Sequence, residues 1–542
     1  MFDAALLRFA RRSPAERSPM IRFGKATPST ITIDDQRMVP NAHTRDVIYG
    51  VVLNELSRVM PSSNQTLLTP ESVLTDAGID DARLEDAIVR LQGSYGMRLH
   101  KEWVLDIQTC DDLVTCIATR MFDSQDNDAE EALVKDSSHH ESTTSVRTYS
   151  FEECEVLRKR VADLQALGLD NPFLLAHESV TGKHASISGK DVISFTSFDY
   201  LGLTSHPAVT SAAKTAIDQF GCGATASRMV GGNTTLLNAL DQAIADFIGT
   251  ERATVFPCGF GTNASVFGHL FNAQDLILYD ELAHKSITEG AMTSQAASRS
   301  FRHNDFDQLD GLLRDIRHKY RRTVIAIEGV YSMDGDYPDL PRFVEVKQRH
   351  DALLYIDEAH SLGTMGNNGR GIAEFFEIDP KSVDIWMGTI SKSLGSGGGY
   401  LAGSRELIDY LGLTTPAFVF STACSPPNTA AALAALQTLQ AEPWRVRQLH
   451  ERSALFLALA KEAGLDTGPS LNTPVIPVIV GSSQKALAVS QRLLEMGINA
   501  RPILYPAVRE SAARIRFFIT CEHTDADIHK AVKAVTEAVA TS

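Results

Sequence analysis

The chain has 542 residues, 44% of them hydrophobic, so it can bury a sizeable core. A length of this order sets a prior of about three or four domains, fewer when one is a large α/β unit. A formal net charge of −16 leaves no basic footprint for nucleic acid and suits a protein that handles small molecules.

The seven cysteines are scattered and form no CxxC pair. That pattern speaks against a disulfide framework or structural metal site and for a reducing, cytoplasmic setting. No apolar run approaches the roughly 18 residues that a membrane-spanning helix needs.

Residues 1–41 form an N-terminal extension that opens with "MFDAALLRFARRSPAERSPMIRFGK", a stretch with several arginines and few acids. It reads as a short exposed helix and tail, or as a mitochondrial transit peptide. The first reading is preferred because the stretch has no clear processing site.

Residues 42–123 carry short amphipathic segments, "TRDVIYGVVLNELSRVM", "ARLEDAIVRLQGSYG" and "TCDDLVTCIATRMF". Their apolar residues recur at three- and four-residue steps, which predicts a small helical bundle. Residues 124–150, "SQDNDAEEALVKDSSHHESTTSVRTYS", are acidic, serine-rich and nearly free of large apolar side chains. Such a stretch cannot bury enough surface to fold alone and is read as a flexible linker.

From residue 151 onward, apolar runs such as "RTVIAIEG", "DALLYIDEA" and "SVDIWMGT" alternate with helical stretches such as "TLLNALDQAIADFIG". This alternation predicts an α/β fold with a mostly parallel central sheet covered on both faces. In such sheets ligands sit at the carboxyl ends of the strands.

The polar residues after each run are therefore the candidates. "LLYIDEAHSLG" ends its strand at Asp357, with His360 three residues on. "VDIWMGTISKSLGSGGG" ends near Gly388, with Thr389, Ser391 and Lys392 in the turn. "VIAIEGVYSMDGD" ends near Glu328, with Ser332 and Asp334 in its loop.

Taken alone, Lys392 reads as a solvated loop residue and "DEAH" as a turn with a helix cap. The ordered set, each member after its own strand, points to one crevice. A lysine, a carboxylate, a histidine and hydroxyls there suit pyridoxal phosphate. The amine can hold the aldehyde, the carboxylate can pair with the pyridinium nitrogen, and hydroxyls with helix amides suit the phosphate.

Between about Asp191 and Thr524 the stretches "TSFDYLGLTSHP", "GCGATASRMVGG", "ADFIGTERATVF", "YDELAHKSITEG", "IEGVYSMDGDYP", "YIDEAHSLG", "GTISKSLG" and "ARIRFFITCEHT" succeed one another. In this order they resemble the α-oxoamine synthases, the fold-type I pyridoxal phosphate enzymes that include 8-amino-7-oxononanoate synthase and serine palmitoyltransferase. The resemblance implies an N-terminal arm and large cofactor-binding domain over 151–430 and a smaller α/β domain over 431–542.

It also implies roles. Lys392 would bind the cofactor aldehyde and move the α proton. Asp357 would hold the pyridinium nitrogen, His360 the ring oxygen, and His284 would stack on the ring. Thr389 and the backbone amides of Gly259 and Phe260 would hold the phosphate. Ser332 would sit near the ring oxygen and substrate carboxylate. Ser421 and Thr422 would reach the phosphate of a neighbouring subunit, which makes a homodimer the expected assembly. Arg514 would bind the substrate carboxylate, with Arg516 facing elsewhere.

Two departures from the family pattern stand out. Phe198 replaces an asparagine before "DYLG", closer to the serine palmitoyltransferase pattern, and Asn238 replaces a histidine.

"LLTPESVLTDAGIDDARLEDAIVRL" in turn resembles an acyl carrier protein, but Asp81 stands where the phosphopantetheine serine belongs. The segment is read as carrier-like without carrying, either a docking module for a separate acyl carrier protein or a leftover without a role. The expected enzyme condenses glycine, alanine or serine with an acyl thioester, carrier-bound or CoA-bound, to give an α-aminoketone. The rival readings are a non-catalytic partner subunit, which Lys392 argues against, and a plain aminotransferase.

Overall fold

A computed structural model describes residues 151–542 apart from 167, 170 and 181, together with scattered positions between Val52 and Ile117. The N-terminal extension, the linker and Asp81 lie outside the described residues, as does most of the carrier-like segment. The chain divides into two compact units, residues 1–142 and 143–542.

In the first unit Val52 and Leu56, then Leu84, Ala87 and Leu91, then Cys110, Leu113, Val114 and Ile117 are helical and buried. These are the three- and four-residue steps of one apolar helix face. The last helix opens on a reciprocal cap. The Asp112 carboxylate accepts from the Thr109 N–H (2.8 Å), and the Thr109 hydroxyl accepts from the Asp112 N–H (3.2 Å).

Among its described residues the second unit holds thirteen strands. They are β1 His184–Ile187, β2 Lys190–Ser194, β3 Arg252–Phe256, β4 Leu276–Asp280, β5 Ala297–Phe301, β6 Thr323–Glu328 and β7 Leu353–Asp357. The remainder are β8 Ile385–Thr389, β9 Gly399–Gly403, β10 Val475–Ile479, β11 Ile498–Asn499, β12 Arg501–Ile503 and β13 Arg514–Phe518.

The central sheet has seven strands in the order β3-β9-β8-β7-β6-β4-β5. Its neighbours pair in parallel except at β9, which is antiparallel to both β8 and β3. The carboxyl ends of the other six strands therefore share one edge with the start of β9. Strands β4, β6 and β8 are buried at every residue. Their continuous apolar runs arise because helices cover both faces of a parallel sheet.

The covering helices are set by local signals. Thr234 caps Thr235–Ile248 by accepting from the Leu237 N–H, and Gly249 ends it in the left-handed region (φ 91°). In Phe306–Ile316 the buried Leu309, Leu313 and Ile316 make one stripe, and Asp305 caps the start. A further helix, Pro426–Ala441, runs through residues 430 and 431. The C-terminal part of this unit adds a sheet in the order β10-β13-β12, and β1-β2-β11 form a third.

Gly335 ties the loop after β6 to the C-terminal sheet. Its carbonyl accepts from the Thr473 hydroxyl (2.8 Å) and the Leu471 N–H (3.1 Å). It has φ +71°, and an added Cβ would lie 1.8 Å from the Val475 carbonyl. Gly335→Ala should therefore cost at least about 1 kcal/mol, read as a lower urea midpoint with an unchanged slope. Gly311→Ala is the control, because a Cβ there meets nothing within 4 Å inside a helix. It should be neutral or gain up to about 1 kcal/mol.

Candidate active site

The shared sheet edge brings the expected residues together. After β3 the helix Gly259–Leu270 begins, and the Cys258 thiol caps it by accepting from the Gly261 N–H (3.2 Å). Thr389 closes β8, and its hydroxyl donates to the Gly398 carbonyl (2.8 Å).

A Cβ on Gly259 would sit 3.2 Å from the Thr389 side chain, and one on Gly399 only 2.8 Å from the Gly259 Cα. The helix N-terminus, Thr389 and Gly398–Gly399 thus close on one another at the start of the helix. A helix start beside a hydroxyl side chain is a chemistry that suits an anion. Phe260 contributes its backbone, while its half-exposed ring lies edge-on to His284 (6.2 Å).

Asp357 ends β7 and is buried. Asn263 Nδ2 donates to one carboxylate oxygen (2.7 Å), and the Ala359 N–H donates to the other (2.9 Å). Asn263 also donates to Ser286 Oγ (2.9 Å), which lies 2.6 Å from His284 Nδ1, and it accepts from Tyr355 Oη (2.6 Å). Asn263, Ser286 and Tyr355 therefore orient Asp357 and His284. Sequence reasoning missed them, although Asn263 falls one helical turn after Gly259, on the same face.

Lys392 Nζ lies 2.7 Å from His360 Nε2, and His360 Nδ1 lies 2.7 Å from Tyr200 Oη. Tyr200, in "DYLG", is a further residue that sequence reading did not single out. Phe198 forms an apolar wall beside this pair. Its ring centroid is 5.5 Å from Lys392 Nζ, and the ring is edge-on to His360 at 5.7 Å.

Burial governs the charges in this crevice. It lowers the Lys392 amine to about 8, with Arg516 adding to the effect and Asp357 and Glu328 opposing it. Burial, Lys392 and Arg516 push the His360 imidazole well below its ordinary range, so it is neutral at pH 7. Burial and the neighbouring Asp357 raise the Glu328 carboxyl well above its usual value. Strand register explains that pairing, because Glu328 stands directly beside Asp357 across β6 and β7.

The two arginines of β13 differ from expectation. Side chains alternate along a strand, so Arg514, Arg516 and Phe518 share one face. Arg514 is already committed: it donates to Asp334 Oδ1 (2.6 Å), the Met333 carbonyl (3.0 Å) and the Ala512 carbonyl (2.9 Å). Arg516 does not face elsewhere. It donates to the Ser332 carbonyl (2.8 Å), lies over Phe518 (4.6 Å) and keeps a buried Nε–H without a partner. Burial lowers it to about 10, and its charge acts on Lys392, His360 and His284.

The remaining candidates lie further out. Ser332 contributes its carbonyl to Arg516. Ser421 and Thr422 lie between Phe420, 84% exposed, and Ala423, whose N–H donates to the Ala226 carbonyl (3.0 Å). Among the described residues no hydrogen bond ties them to the Lys392 crevice. Asn238 accepts from Arg228 (3.3 Å), which is paired with Asp241 (2.7 Å), so it supports the "ASRMVGGN" loop.

The donor set fits a phosphate-bearing pyridine aldehyde: an amine lowered by burial, a buried carboxyl group, an imidazole with a flat face and a helix start beside Thr389. Only a neutral amine adds to an aldehyde. In cofactor-free protein, borohydride trapping of an aldehyde on Lys392 should therefore rise through pH about 8, not near the ordinary lysine value of 10.5. Lys392→Ala should abolish the trapping, and a wild-type midpoint above pH 10 would contradict the buried-amine account.

Comparison with known proteins agrees with this geometry. The family model for aminotransferase class I and II matches residues 190–535. The chain is 38% identical over 385 residues to an 8-amino-7-oxononanoate synthase of Thermoanaerobacter pseudethanolicus, covering 71% of this chain and 97% of the relative. It is also 38% identical to 8-amino-7-oxononanoate synthase 1 of Bacillus subtilis, over 66% of this chain and 91% of the relative.

Among solved structures, Sphingomonas wittichii serine palmitoyltransferase superposes with a TM-score of 0.69 at 29% identity, over 72% of this chain and 98% of that one. The 8-amino-7-oxononanoate synthase of Francisella tularensis gives 0.56 at 27% identity, over 65% of this chain and 98% of that one. A fold-type I framework, the Lys392 crevice and these relatives together identify the chain as a member of the aminotransferase class I and II family, a pyridoxal-phosphate-dependent acyltransferase of the α-oxoamine synthase group.

Proposed function

We propose that the enzyme joins a small amino acid (glycine, alanine or serine) to an acyl thioester, releasing carbon dioxide, the thiol and an α-aminoketone. The observation that carries this reading is the Lys392 amine, 2.7 Å from His360 at the same sheet edge as the buried Asp357. Bound pyridoxal phosphate supplies an electron sink for the carbanion at the amino acid's α carbon.

The chain's own residues supply the rest. Lys392 holds the aldehyde and, with its amine near 8, accepts and returns the α proton near neutral pH. Asp357, fixed by Asn263, pairs with the pyridinium nitrogen, and neutral His360 bonds the ring oxygen. His284, held by Ser286, faces the ring. Thr389 and the helix amides at Gly259 and Phe260 hold the phosphate.

Arg516 is assigned to the substrate carboxylate in place of Arg514, because Asp334 already neutralises Arg514 while Arg516 retains a free donor. Ser421 and Thr422 complete the phosphate site of a second copy across a homodimer. Exposed Phe420, beside them, gives that contact apolar area.

The acyl donor is proposed to be carrier-bound, with residues 42–123 as a docking module for the separate carrier. Support comes from the carrier-like sequence that lacks the serine, and from the buried helical positions between Val52 and Ile117. The described helices contain none long and apolar enough to cross a membrane.

The visible spectrum of the purified enzyme tests the reading. Titration with glycine, alanine and serine should shift the cofactor band with one of them. Thioester added next should then be consumed, faster when carrier-bound than when CoA-bound. No cofactor band after adding pyridoxal phosphate would sink the assignment. Arg516→Lys should raise the amino-acid KM roughly 10- to 100-fold and leave the thioester KM unchanged, since it removes a charged, forked hydrogen bond. A larger rise for Arg514→Lys would return the carboxylate to Arg514.

A further inference from the structure

His303 comes just after β5 and plays no part in the chemistry assigned above. Its Nδ1 lies 2.9 Å from Asp280 Oδ1 and its Nε2 lies 2.7 Å from Asp336 Oδ2. Both carboxylates are buried, at 0% and 4% exposure. The ring stands edge-on to Tyr331 at 4.4 Å. Asn304 braces the same pair, giving its N–H to Asp280 (2.8 Å) and its amide to Asp336 (2.9 Å). The backbone N–H of His303 donates to Glu281 (3.1 Å).

An imidazole can donate from both nitrogens only when protonated. Burial opposes that charge, but the bonds to Asp280 and Asp336 outweigh it and keep His303 protonated up to about 10. Removing the cation would leave two carboxylates buried without their counter-ion, which is costly.

The placement of the two aspartates gives the cluster its meaning. Asp280 ends β4, four residues before His284. Asp336 closes the loop that carries Ser332, whose carbonyl holds Arg516, and Asp334, which holds Arg514. Inside that loop Tyr331 donates its N–H to the Asp336 carbonyl (2.9 Å), and Gly335 donates to the Tyr331 carbonyl (2.9 Å).

We propose that His303 is a positioning residue: its doubly donating ring ties the loop bearing His284 to the loop that holds Arg516, and so sets the spacing between the ring-facing and carboxylate-facing halves of the site. The substrate half of this inference rests on the function proposed above.

The test compares wild type with His303→Gln and, should that variant fold poorly, with Asp336→Asn. Amide exchange should speed up in both Leu282–His284 and Tyr331–Gly335, on the cofactor-free protein as well. The amino-acid concentration that half-shifts the cofactor band should rise about 10- to 100-fold, with the thioester KM unchanged. A merely structural role would leave that selectivity out.

The pH dependence carries a sign. The folded value lies above the ordinary 6.5, so the clamp's stabilisation is whole below pH 6.5 and fades as pH rises toward 10. The gap in thermal midpoint between wild type and His303→Gln should shrink over that window.

Unchanged exchange in both loops overturns the clamp. Faster exchange with an unchanged amino-acid response overturns the positioning role. A wild type that responds to no amino acid overturns the proposed function and the substrate half of this inference together, while exchange still decides whether the loops are tied.

Discussion

A lysine amine 2.7 Å from a buried imidazole is the contact on which the site depends. Water cannot stabilise the ammonium there, so burial lowers Lys392 to about 8 and His360 further still. The counterweight is a pair of carboxyl groups on adjacent strands. Glu328 and Asp357 are cross-strand neighbours, and two like charges so close in a dry place cannot both persist. Burial and Asp357 drive Glu328 toward its neutral form, while Asp357 is held by Asn263 and the Ala359 N–H. Asp357 is thereby fixed in place at the sheet edge beside Lys392 and His360.

That division comes from the sheet. Strands β6 and β8 are buried along their lengths, β7 beyond its first residue, and all three pair in parallel register. Their ends therefore cannot slide relative to one another. The functional groups occupy the last strand residue or the next few. The antiparallel β9 begins at the same edge, which lets Gly398–Gly399 pack against Gly259 and Thr389. Small residues are required at this meeting point because any Cβ on Gly399 would collide with backbone.

Loops are less constrained than strand ends, and here buried polar links hold them. The Asn263–Ser286 link fixes the His284 side chain, Tyr200 backs His360, and His303 joins the turns after β4 and β6. Each link pairs groups that would be costly to bury alone, so each favours a single arrangement. Phe198, Phe518 and the Arg516 guanidinium fill the remaining wall with apolar and planar surface, which limits the room beside Lys392.

Much of this was legible in the chain. The runs read as ending at Asp357 and near Glu328 and Gly388 are β7, β6 and β8, the last extending one residue further to Thr389, because continuous apolar segments of that length suit a sheet covered on both faces. Lys392, Asp357, His360 and Thr389 were legible for the same reason, since each ends its strand or comes within a few residues of that end. Asn263, Tyr200 and His303 were not. Their partners lie 94, 160 and 33 residues away in sequence, and no local pattern reports such a pairing.

The two arginines of β13 mark the boundary most clearly. The sequence by itself determined that two arginines, two residues apart, follow one another in "ARIRFFIT", and it reads with Arg514 at the site and Arg516 facing elsewhere. That both arginines of β13 share one face and that Arg514 is paired was decided only by tertiary structure, because Asp334 arrives from a loop 180 residues earlier.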